Sequence, residues 1–246
     1  MKNLGFNMIR KHVKVEPARW YYHCDKEGML VWQDMPSGDM GNQWAARTYN
    51  EGTDKARTAE SVRNYYQEWK EIMDLCVSNP SVVVWVPFNE AWGQFDTEKV
   101  VEWTKTYDPS RLVNPASGGN HRACGDMLDL HNYPAPEMYL FDPARVNVLG
   151  EYGGIGLPVE DHLWWNKRNW GYIQFKNGEE VTAEYIKYAK QLKQLVQRGF
   201  SAAVYTQTTD VEGEVNGLMT YDRKVIKINE AEIRAINQEV INSLSE

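Results

Sequence analysis

The chain has 246 residues, of which 42% are hydrophobic and 25% are charged, with a formal net charge of -7 and a pI of about 5.4. This composition is that of an ordinary globular protein, and it excludes a disordered, collagen-like or coiled-coil chain. The acidic balance argues against nucleic acid as a partner, and no apolar run reaches the roughly 20 residues of a membrane helix. Three cysteines without a C-x-x-C pair argue against a disulfide scaffold or a structural zinc site.

Aromatic residues are the unusual part of the composition, with ten Trp and fourteen Tyr. Rings at this density suit a cleft that stacks on sugar faces. A large core rich in Trp would give the same composition. The counts therefore leave both interpretations open.

Short apolar runs alternate with longer segments of helical period, which predicts an α/β fold with a parallel sheet and covering helices. The predicted strands are 7–10, 29–34, 82–86, 112–114, 127–131, 146–151 and 202–206, and helices are predicted over 62–77, 186–196 and 233–244. Strand 82–86 is apolar at consecutive positions, as is typical of strands buried on both faces.

Two connections stand out. The segment 114–126 contains Pro115 and several glycines, which predicts a loop or short turn where a crossover helix would be expected. The polar segment 35–56 is too long for a routine connection, and it is either a functional loop over a site or partly disordered.

Polar residues end nearly every predicted strand. In a parallel barrel the carboxyl ends of the strands share one face, where active sites form. A single such residue is more often a helix cap or an ion-pair partner, but six together favour a site. They are Arg10, Asp34, Asn89 with Glu90, His131, Glu151, and Thr206 with Gln207.

Glu90 and Glu151 are the candidate catalytic pair. Each lies at the end of a predicted buried strand, and Glu151 precedes a turn that contains two glycines. Glycoside hydrolysis requires two such carboxyls, one to protonate the leaving oxygen and one to attack the anomeric carbon or to activate water. We expect the two carboxyls to face each other at roughly 5 to 5.5 Å, the separation of retaining enzymes.

These segments resemble the catalytic TIM-type (β/α)8 barrel of glycoside hydrolase family 2, which contains β-galactosidases, β-glucuronidases and β-mannosidases. The matching segments are 2–12, 22–34, 85–90, 108–113, 150–154 and 205–207, and the pieces 89–90 and 150–154 are the specific ones. The resemblance implies a retaining double displacement with Glu90 as the general acid/base and Glu151 as the nucleophile.

The resemblance also implies roles for the neighbouring residues. Asn89 would hold the sugar 2-hydroxyl, Arg10 would lie close to the nucleophile, and Tyr133 would donate a hydrogen bond to it. The complete predicted substrate-binding set is Asn89, Arg10, His131, Tyr133, Asp34 and Trp165. In addition, the sugar-facing rim is predicted to include Trp164, Trp165 and Trp170, with packing of at least two of them into the core as the alternative.

The sequence departs from the family pattern at two points. His12 follows Arg10 by two residues, whereas many members have a His three residues after the Arg. The magnesium ligands of some β-galactosidases have no clear counterpart. We therefore predict no metal and no cofactor, and we interpret Asp34, His12 and His131 as hydrogen-bonded polar residues.

The segment 1–5 reads as the end of the helix before the second barrel strand. We therefore expect 1–246 to be one amino-terminally truncated catalytic barrel domain, with seven recognisable strands and the first strand missing. The missing partners would be the amino-terminal β-sandwich domains of the parent protein. We expect weak or absent hydrolysis by the chain as it stands.

The leading hypothesis is a retaining β-glycosidase that acts on terminal bonds of a carbohydrate substrate, with β-galactosidase-like specificity as a guess. The alternatives are a non-catalytic carbohydrate-binding or assembly fragment and an endoglycanase-like barrel with the same carboxylates. No membrane partner is expected, and a homo-oligomer stays open. The parent protein could be secreted or periplasmic, but the segment 1–5 lacks the apolar run of a signal peptide.

Overall fold

The computed structural model describes residues 1–244, and it divides the chain into two compact units. The first unit comprises Asn7–His131 and Tyr139–Gly150. The second unit comprises Met1–Phe6, Asn132–Met138 and the chain from Glu151 onward. The expectation of a single domain over 1–246 stays a prediction.

A parallel sheet of order β1-β2-β3-β4 organises the first unit. Its strands are β1 (Met8–Lys11), β2 (Leu30–Asp34), β3 (Val82–Val86) and β4 (Leu112–Val113). Arg10 lies opposite Trp32, Asp34 opposite Val86, and Val84 opposite Leu112. This register brings the carboxyl ends of β1, β2 and β3 to one edge, where Arg10, Asp34 and the segment after Val86 follow one another.

Three helices connect these strands: α1 (Ala18–Glu27), α2 (Ala59–Cys76) and α3 (Thr97–Tyr107). Helix α2 begins where the Thr58 hydroxyl accepts a hydrogen bond from the backbone N–H of Ser61. Its buried face presents Trp69, whose ring meets that of Trp85 edge to face at 5.5 Å. The apolar strand β3 is thereby covered, as its consecutive valines predict.

The first unit continues through β5 (Met127–Asn132) to its sheet neighbour β6 (Val146–Gly153), which runs on along the chain into the second unit. The segment 114–126 contains turns, bends and two isolated bridge residues but no helix, so the prediction of a loop in place of a crossover helix is confirmed.

In the second unit, the end of β6 is followed by β7 (Ile155–Gly156), β8 (Ile173–Gln174), α4 (Gly178–Gln197), β9 (Phe200–Thr206) and α5 (Glu230–Asn242). Strand β9 is the sheet neighbour of β6, and β7 pairs with β8 in parallel. Helix α4 packs against α5 and β9. The segment 1–5 contains a short 3₁₀ helix, Lys2–Leu4, which contacts α5.

All seven predicted strands and all three predicted helices are present within residues 1–244. The sequence analysis missed the helices α1 and α3. No helix in the described part of the chain combines the length and apolar character needed to cross a bilayer.

Candidate active site

Glu90 lies in a strained turn just past β3. Pro87 follows the strand, and the turn is held by two backbone bonds: the Ser117 N–H donates to Phe88 O at 2.9 Å and the Glu90 N–H donates to Ser117 O at 2.8 Å. Glu90 itself has φ of +44°, in the left-handed region. Such backbone costs on the order of 1–3 kcal/mol and is retained where the surroundings over-determine it, often at functional sites.

The residue before it, Asn89, is fixed by a buried ion pair. The Arg10 guanidinium donates from Nε to Asp34 Oδ1 at 3.0 Å and from Nη2 to Asp34 Oδ2 at 2.7 Å. The same Nη2 donates to Asn89 Oδ1 at 2.7 Å. Although burial acts to raise it, the charge and hydrogen bonds of Arg10 and His12 hold the pKa of Asp34 below its usual value.

His131, near the end of β5, lies against Glu90. Its Nδ1 is 2.9 Å from Glu90 Oε1. Its Nε2 is 2.7 Å from Ser117 Oγ and 3.3 Å from Arg10 Nη1. Both ring nitrogens are therefore engaged by side chains of the first unit.

A buried carboxylate, Asp129, lies behind Ser117. It accepts hydrogen bonds from Ser117 Oγ at 2.6 Å, Asn114 Nδ2 at 2.6 Å and the Gly150 N–H at 2.5 Å. A Cβ atom at Gly150 would come within 2.2 Å of Asp129 Oδ2, so only glycine fits there. Burial raises the pKa of Asp129, whereas the charges of His131 and Arg10 and the hydrogen bonds from Ser117 and Asn114 lower it.

In the second unit, Tyr133 holds Glu151. The Tyr133 hydroxyl donates to Glu151 Oε2 at 2.7 Å and lies 2.8 Å from Thr206 Oγ1. A phenol has one hydrogen, so the Thr206 hydroxyl donates to Tyr133. Burial, together with the negative charge of Glu151, raises the pKa of Tyr133, which keeps the phenol a hydrogen-bond donor.

Two glycines after Glu151 make room for tyrosine rings. Gly153 and Gly154 have φ of +104° and +66°. A Cβ atom at Gly153 would lie 2.4 Å from the Tyr205 ring, and one at Gly154 would lie 2.3 Å from the Tyr172 ring. Tyr172 in turn stacks on Tyr133 with ring centroids 3.7 Å apart and planes at 5°. Gly154 therefore lets Tyr172 pack on the ring that binds Glu151, and Gly153 makes room for Tyr205.

The tryptophans predicted for the sugar-facing rim are exposed in the second unit. Trp164, Trp165 and Trp170 expose 65%, 48% and 45% of their surface. The alternative that at least two of them pack into the core is therefore wrong. Trp170 contacts Tyr172 edge to face at 5.5 Å, so exposed aromatic surface continues from the ring stacked on Tyr133.

The long loop 35–56 is tied to the first unit. The Asn120 side chain accepts from the Ala45 N–H at 2.7 Å and donates to Gln43 O at 2.8 Å, and the Trp44 indole donates to Gly118 O at 3.1 Å. These contacts argue against partial disorder of this segment, and the interpretation as a functional loop over a site stays a prediction.

The structure brings several predicted site residues together within each unit: Arg10, Asp34, Asn89, Glu90 and His131 in the first, and Tyr133, Glu151 and Thr206 in the second. Asp34 and His131 are engaged with protein partners, and His12 Nδ1 lies 3.5 Å from Asp34 Oδ2. These contacts fit hydrogen-bonded polar residues, and the absence of a metal stays a prediction.

Sequence reasoning missed Ser117, Asp129 and Tyr172. Asp129 could have been predicted from the sequence, because an acidic residue inside the apolar strand Met127–Asn132 must have buried hydrogen-bond partners. No sequence feature indicated Ser117, since it lies in a glycine-rich turn where serine is common.

Comparison with known proteins found relatives that match part of the chain. The β-galactosidase of Vibrio vulnificus (strain YJ016) is 27% identical over 149 residues, which are 61% of this chain and 13% of that enzyme. The β-galactosidase of Halalkalibacterium halodurans is 28% identical over 166 residues, with 62% of this chain and 16% of that enzyme covered. The chain thus spans less than a fifth of these relatives.

Solved structures show the same fold. A Ruminococcus gnavus β-glucuronidase in complex with uronic isofagomine gives a TM-score of 0.68 at 17% identity and covers 98% of this chain and 46% of that one. A family 2 β-galacturonidase from Eisenbergiella tayi bound to galacturonate gives 0.61 at 15% identity, with 97% and 45% covered.

The predicted fold class is confirmed as a TIM barrel domain, and the separate sheets, parallel in β1–β4 and in β7–β8, agree with the expected incomplete barrel. The family model of glycosyl hydrolases family 2, TIM barrel domain, matches residues 1–141, more than half of the chain. The chain therefore belongs to glycosyl hydrolase family 2.

Proposed function

We propose that the chain carries the catalytic machinery of a retaining β-glycosidase that hydrolyses terminal β-glycosidic bonds by double displacement. Glu90 is the general acid/base and Glu151 is the nucleophile. In the first step Glu90 protonates the leaving oxygen while Glu151 attacks the anomeric carbon, and in the second step Glu90 deprotonates the water that releases the sugar. Family membership supports the class of reaction.

The observation that carries the proposal is an unpaired donor beside Glu90. Asn89 is 2% exposed, and its Oδ1 is occupied by Arg10. Its Nδ2 has no hydrogen-bond partner among the described residues. A buried donor left unpaired costs about 1–3 kcal/mol, and a sugar hydroxyl bound next to Glu90 would supply the missing acceptor. Asp34 supports this role because it orients the Arg10 guanidinium.

The surroundings of Glu151 support its role as the nucleophile. A hydrogen bond from the Tyr133 hydroxyl, itself held by Thr206, orients the attacking carboxylate. The backbone of the same segment is anchored, since the Gly154 N–H donates to Thr206 O at 2.8 Å. The retaining mechanism additionally requires a separation of about 5 to 5.5 Å between the two carboxyls, which stays a prediction.

One observation favours the alternative of carbohydrate binding without turnover. Trp164, Trp165, Trp170 and Tyr172 are each 45% exposed or more, and exposed aromatic faces suit pyranose rings whether or not hydrolysis follows. This alternative predicts sugar affinity that does not depend on Glu90 or Glu151. The two proposals therefore separate on turnover.

The test is release of chromophore from aryl β-glycosides. Because the relatives are named β-galactosidases and the structural neighbours act on uronic acids by name, both β-galactosides and β-glucuronides are assayed. We expect Glu151→Gln to abolish turnover, and Glu239→Gln, an exposed glutamate on α5, to leave it unchanged. Sugar binding without turnover in the unsubstituted chain would support the binding alternative.

A further inference from the structure

The turn that carries Glu90 is strained over several residues. Glu90, Ala91 and Gly93 have φ of +44°, +63° and +63°, all in the left-handed region. The turn is closed by the Trp92 N–H, which donates to Asn89 O at 2.7 Å, so that Glu90 lies inside a backbone ring. A backbone of this kind persists only where its surroundings over-determine it. The position of Glu90 therefore depends on what binds the far end of the turn.

Arg57, which lies just before helix α2, binds that end of the turn. Its Nε and Nη2 donate to Gly93 O at 3.0 and 2.6 Å. The same Nη2 donates to Ser37 O at 2.8 Å, in the loop that follows β2. A Cβ atom at Gly93 would lie 1.9 Å from Gly38 O, so this loop packs directly on the turn. Arg57 therefore joins the loop after β2 to the turn after β3.

The surroundings of the Arg57 guanidinium are buried and aromatic. The side chain is 2% exposed, and it lies over the rings of Phe95 and Tyr65 with centroids at 4.6 and 5.1 Å. The Asp39 carboxylate is 3.8 Å from Nε, beyond hydrogen-bond distance, and it accepts from Ser61 Oγ at 3.0 Å. A buried cation is costly unless it is hydrogen-bonded. The short hydrogen bonds that meet this cost go to the backbone carbonyls of the loop and the turn.

Ser37 makes a second connection to the same turn. It is 8% exposed, and its hydroxyl donates to Trp92 O at 2.6 Å. Two successive carbonyls of the turn, at 92 and 93, are thus bound by Ser37 and Arg57. We propose that Arg57, together with Ser37, holds this turn so that Glu90 stays in position to protonate the leaving oxygen. This inference rests on the proposed function. Both are positioning residues, because they act through the backbone of the turn.

The first test is hydrogen–deuterium exchange measured by mass spectrometry, which needs no turnover. We expect Arg57→Met to accelerate exchange of the amides of 90–94 about tenfold or more, because the backbone loses its bound carbonyls and opens locally. The amides of strand β3, 82–86, should keep their rates. Arg63→Met, which replaces an exposed arginine of helix α2, is the control and should change neither segment. Unchanged exchange in 90–94, or equal acceleration in 82–86, would overturn the proposal.

The second test compares leaving groups. Departure of phenol needs the general acid, whereas 2,4-dinitrophenolate departs without it. We expect Arg57→Met to lower kcat/KM on the phenyl glycoside about ten- to a hundredfold, and on the dinitrophenyl glycoside less than about twofold. Arg57→Lys, which keeps the charge and one donor nitrogen, should lose less on the phenyl glycoside. An equal loss on both substrates, or no loss on the phenyl glycoside, would overturn the proposal.

Ser37→Ala keeps the proposal open to refutation should Arg57→Met not fold. It removes only the bond to Trp92 O. We expect a loss of about two- to tenfold on the phenyl glycoside, with kcat/KM on the dinitrophenyl glycoside unchanged. The same kcat/KM as the unsubstituted chain on both substrates would contradict a role for this bond in positioning Glu90.

Glu90→Gln separates this inference from the proposed function. If Glu90→Gln hydrolyses the phenyl glycoside normally, the proposed function fails. If Glu90→Gln loses that activity and keeps its kcat/KM on the dinitrophenyl glycoside, while Arg57→Met behaves as the unsubstituted chain, only the inference fails. If the chain turns over neither substrate, the exchange of the amides of 90–94 decides by itself whether Arg57 holds the turn.

Discussion

Replacing Arg10 with methionine removes the cation from a fully buried pair. The side chains of Arg10 and Asp34 are 2% and 1% exposed, and two hydrogen bonds join them. Methionine fills similar volume but leaves the Asp34 carboxylate buried without its strongest partner. It also frees Asn89 Oδ1, which accepts from the same guanidinium.

The expected cost is about 3–5 kcal/mol of unfolding free energy at pH 7, the range for a buried charge that loses its partner. Arg10→Lys keeps the charge but cannot donate through both bonds, so its loss should be smaller. The double variant Arg10→Met with Asp34→Asn should lose less than the sum of the two single variants, because the isolated charge is then absent.

The pH dependence has a definite sign. In the unsubstituted chain the folded-state pKa of Asp34 lies below its unfolded-state pKa of about 3.9. The ionised Asp34 therefore stabilises the fold at pH values above about 3.9, and this stabilisation is lost as the pH falls through the folded-state pKa. In Arg10→Met the cation is gone and burial raises that pKa. The deficit of the variant should therefore shrink as pH falls from 7 to 4.

Urea denaturation followed by circular dichroism at pH 7 and pH 4 measures these effects. Lys70→Ala is the control, because the Lys70–Asp74 pair is half exposed and surface ion pairs contribute little to stability. An Arg10→Met loss no larger than that of Lys70→Ala, or one that is independent of pH, would refute the reasoning.

Three further predictions concern other parts of the structure. Tyr172→Ala should lower kcat/KM about two- to tenfold through the ring stacked on Tyr133, with Tyr172→Phe near normal, and its effect should vanish in a Tyr133→Phe background. Burial acts to raise the pKa of Asp108, but hydrogen bonds from Ser110, Arg111 and Trp85 lower it to about 2. Asp108→Asn should therefore remove about 1–2 kcal/mol of stability at pH 7, and acid denaturation should show a smaller loss of stability between pH 4 and 2 in the variant than in the unsubstituted chain. The last prediction concerns the exposed side chains of Trp164, Trp165 and Trp170. Replacing each singly with alanine should weaken sugar binding, measured by calorimetry, about tenfold or less, and unchanged affinity in folded variants would remove these residues from the sugar-facing rim.

The strands could be predicted because burial on both faces leaves continuous apolar runs, as in Val82–Val86. The helices α1 and α3 were missed for a related reason. Only Tyr21 and Cys24 are buried on α1, and α3 buries Thr97 and Thr104 beside two valines, so neither has a clear apolar stripe. Tertiary packing supplies what the local pattern lacks.

The candidate site was predicted only in part. Strand ends indicated Glu90, Glu151 and Arg10, because active-site residues of parallel barrels commonly follow the carboxyl ends of strands. His131 Nε2 contacts Ser117 Oγ, a residue fourteen positions away in the chain. No local pattern encodes a contact of that kind.

The measurement that tests the account most directly is trapping of the glycosyl-enzyme intermediate. The chain is incubated with a 2-deoxy-2-fluoro glycoside bearing a good leaving group, and the labelled peptide is identified by mass spectrometry. The account predicts one sugar per chain, attached to Glu151, and anomeric retention in the product of the natural substrate. A label on any other residue, or a product of inverted configuration, would contradict it.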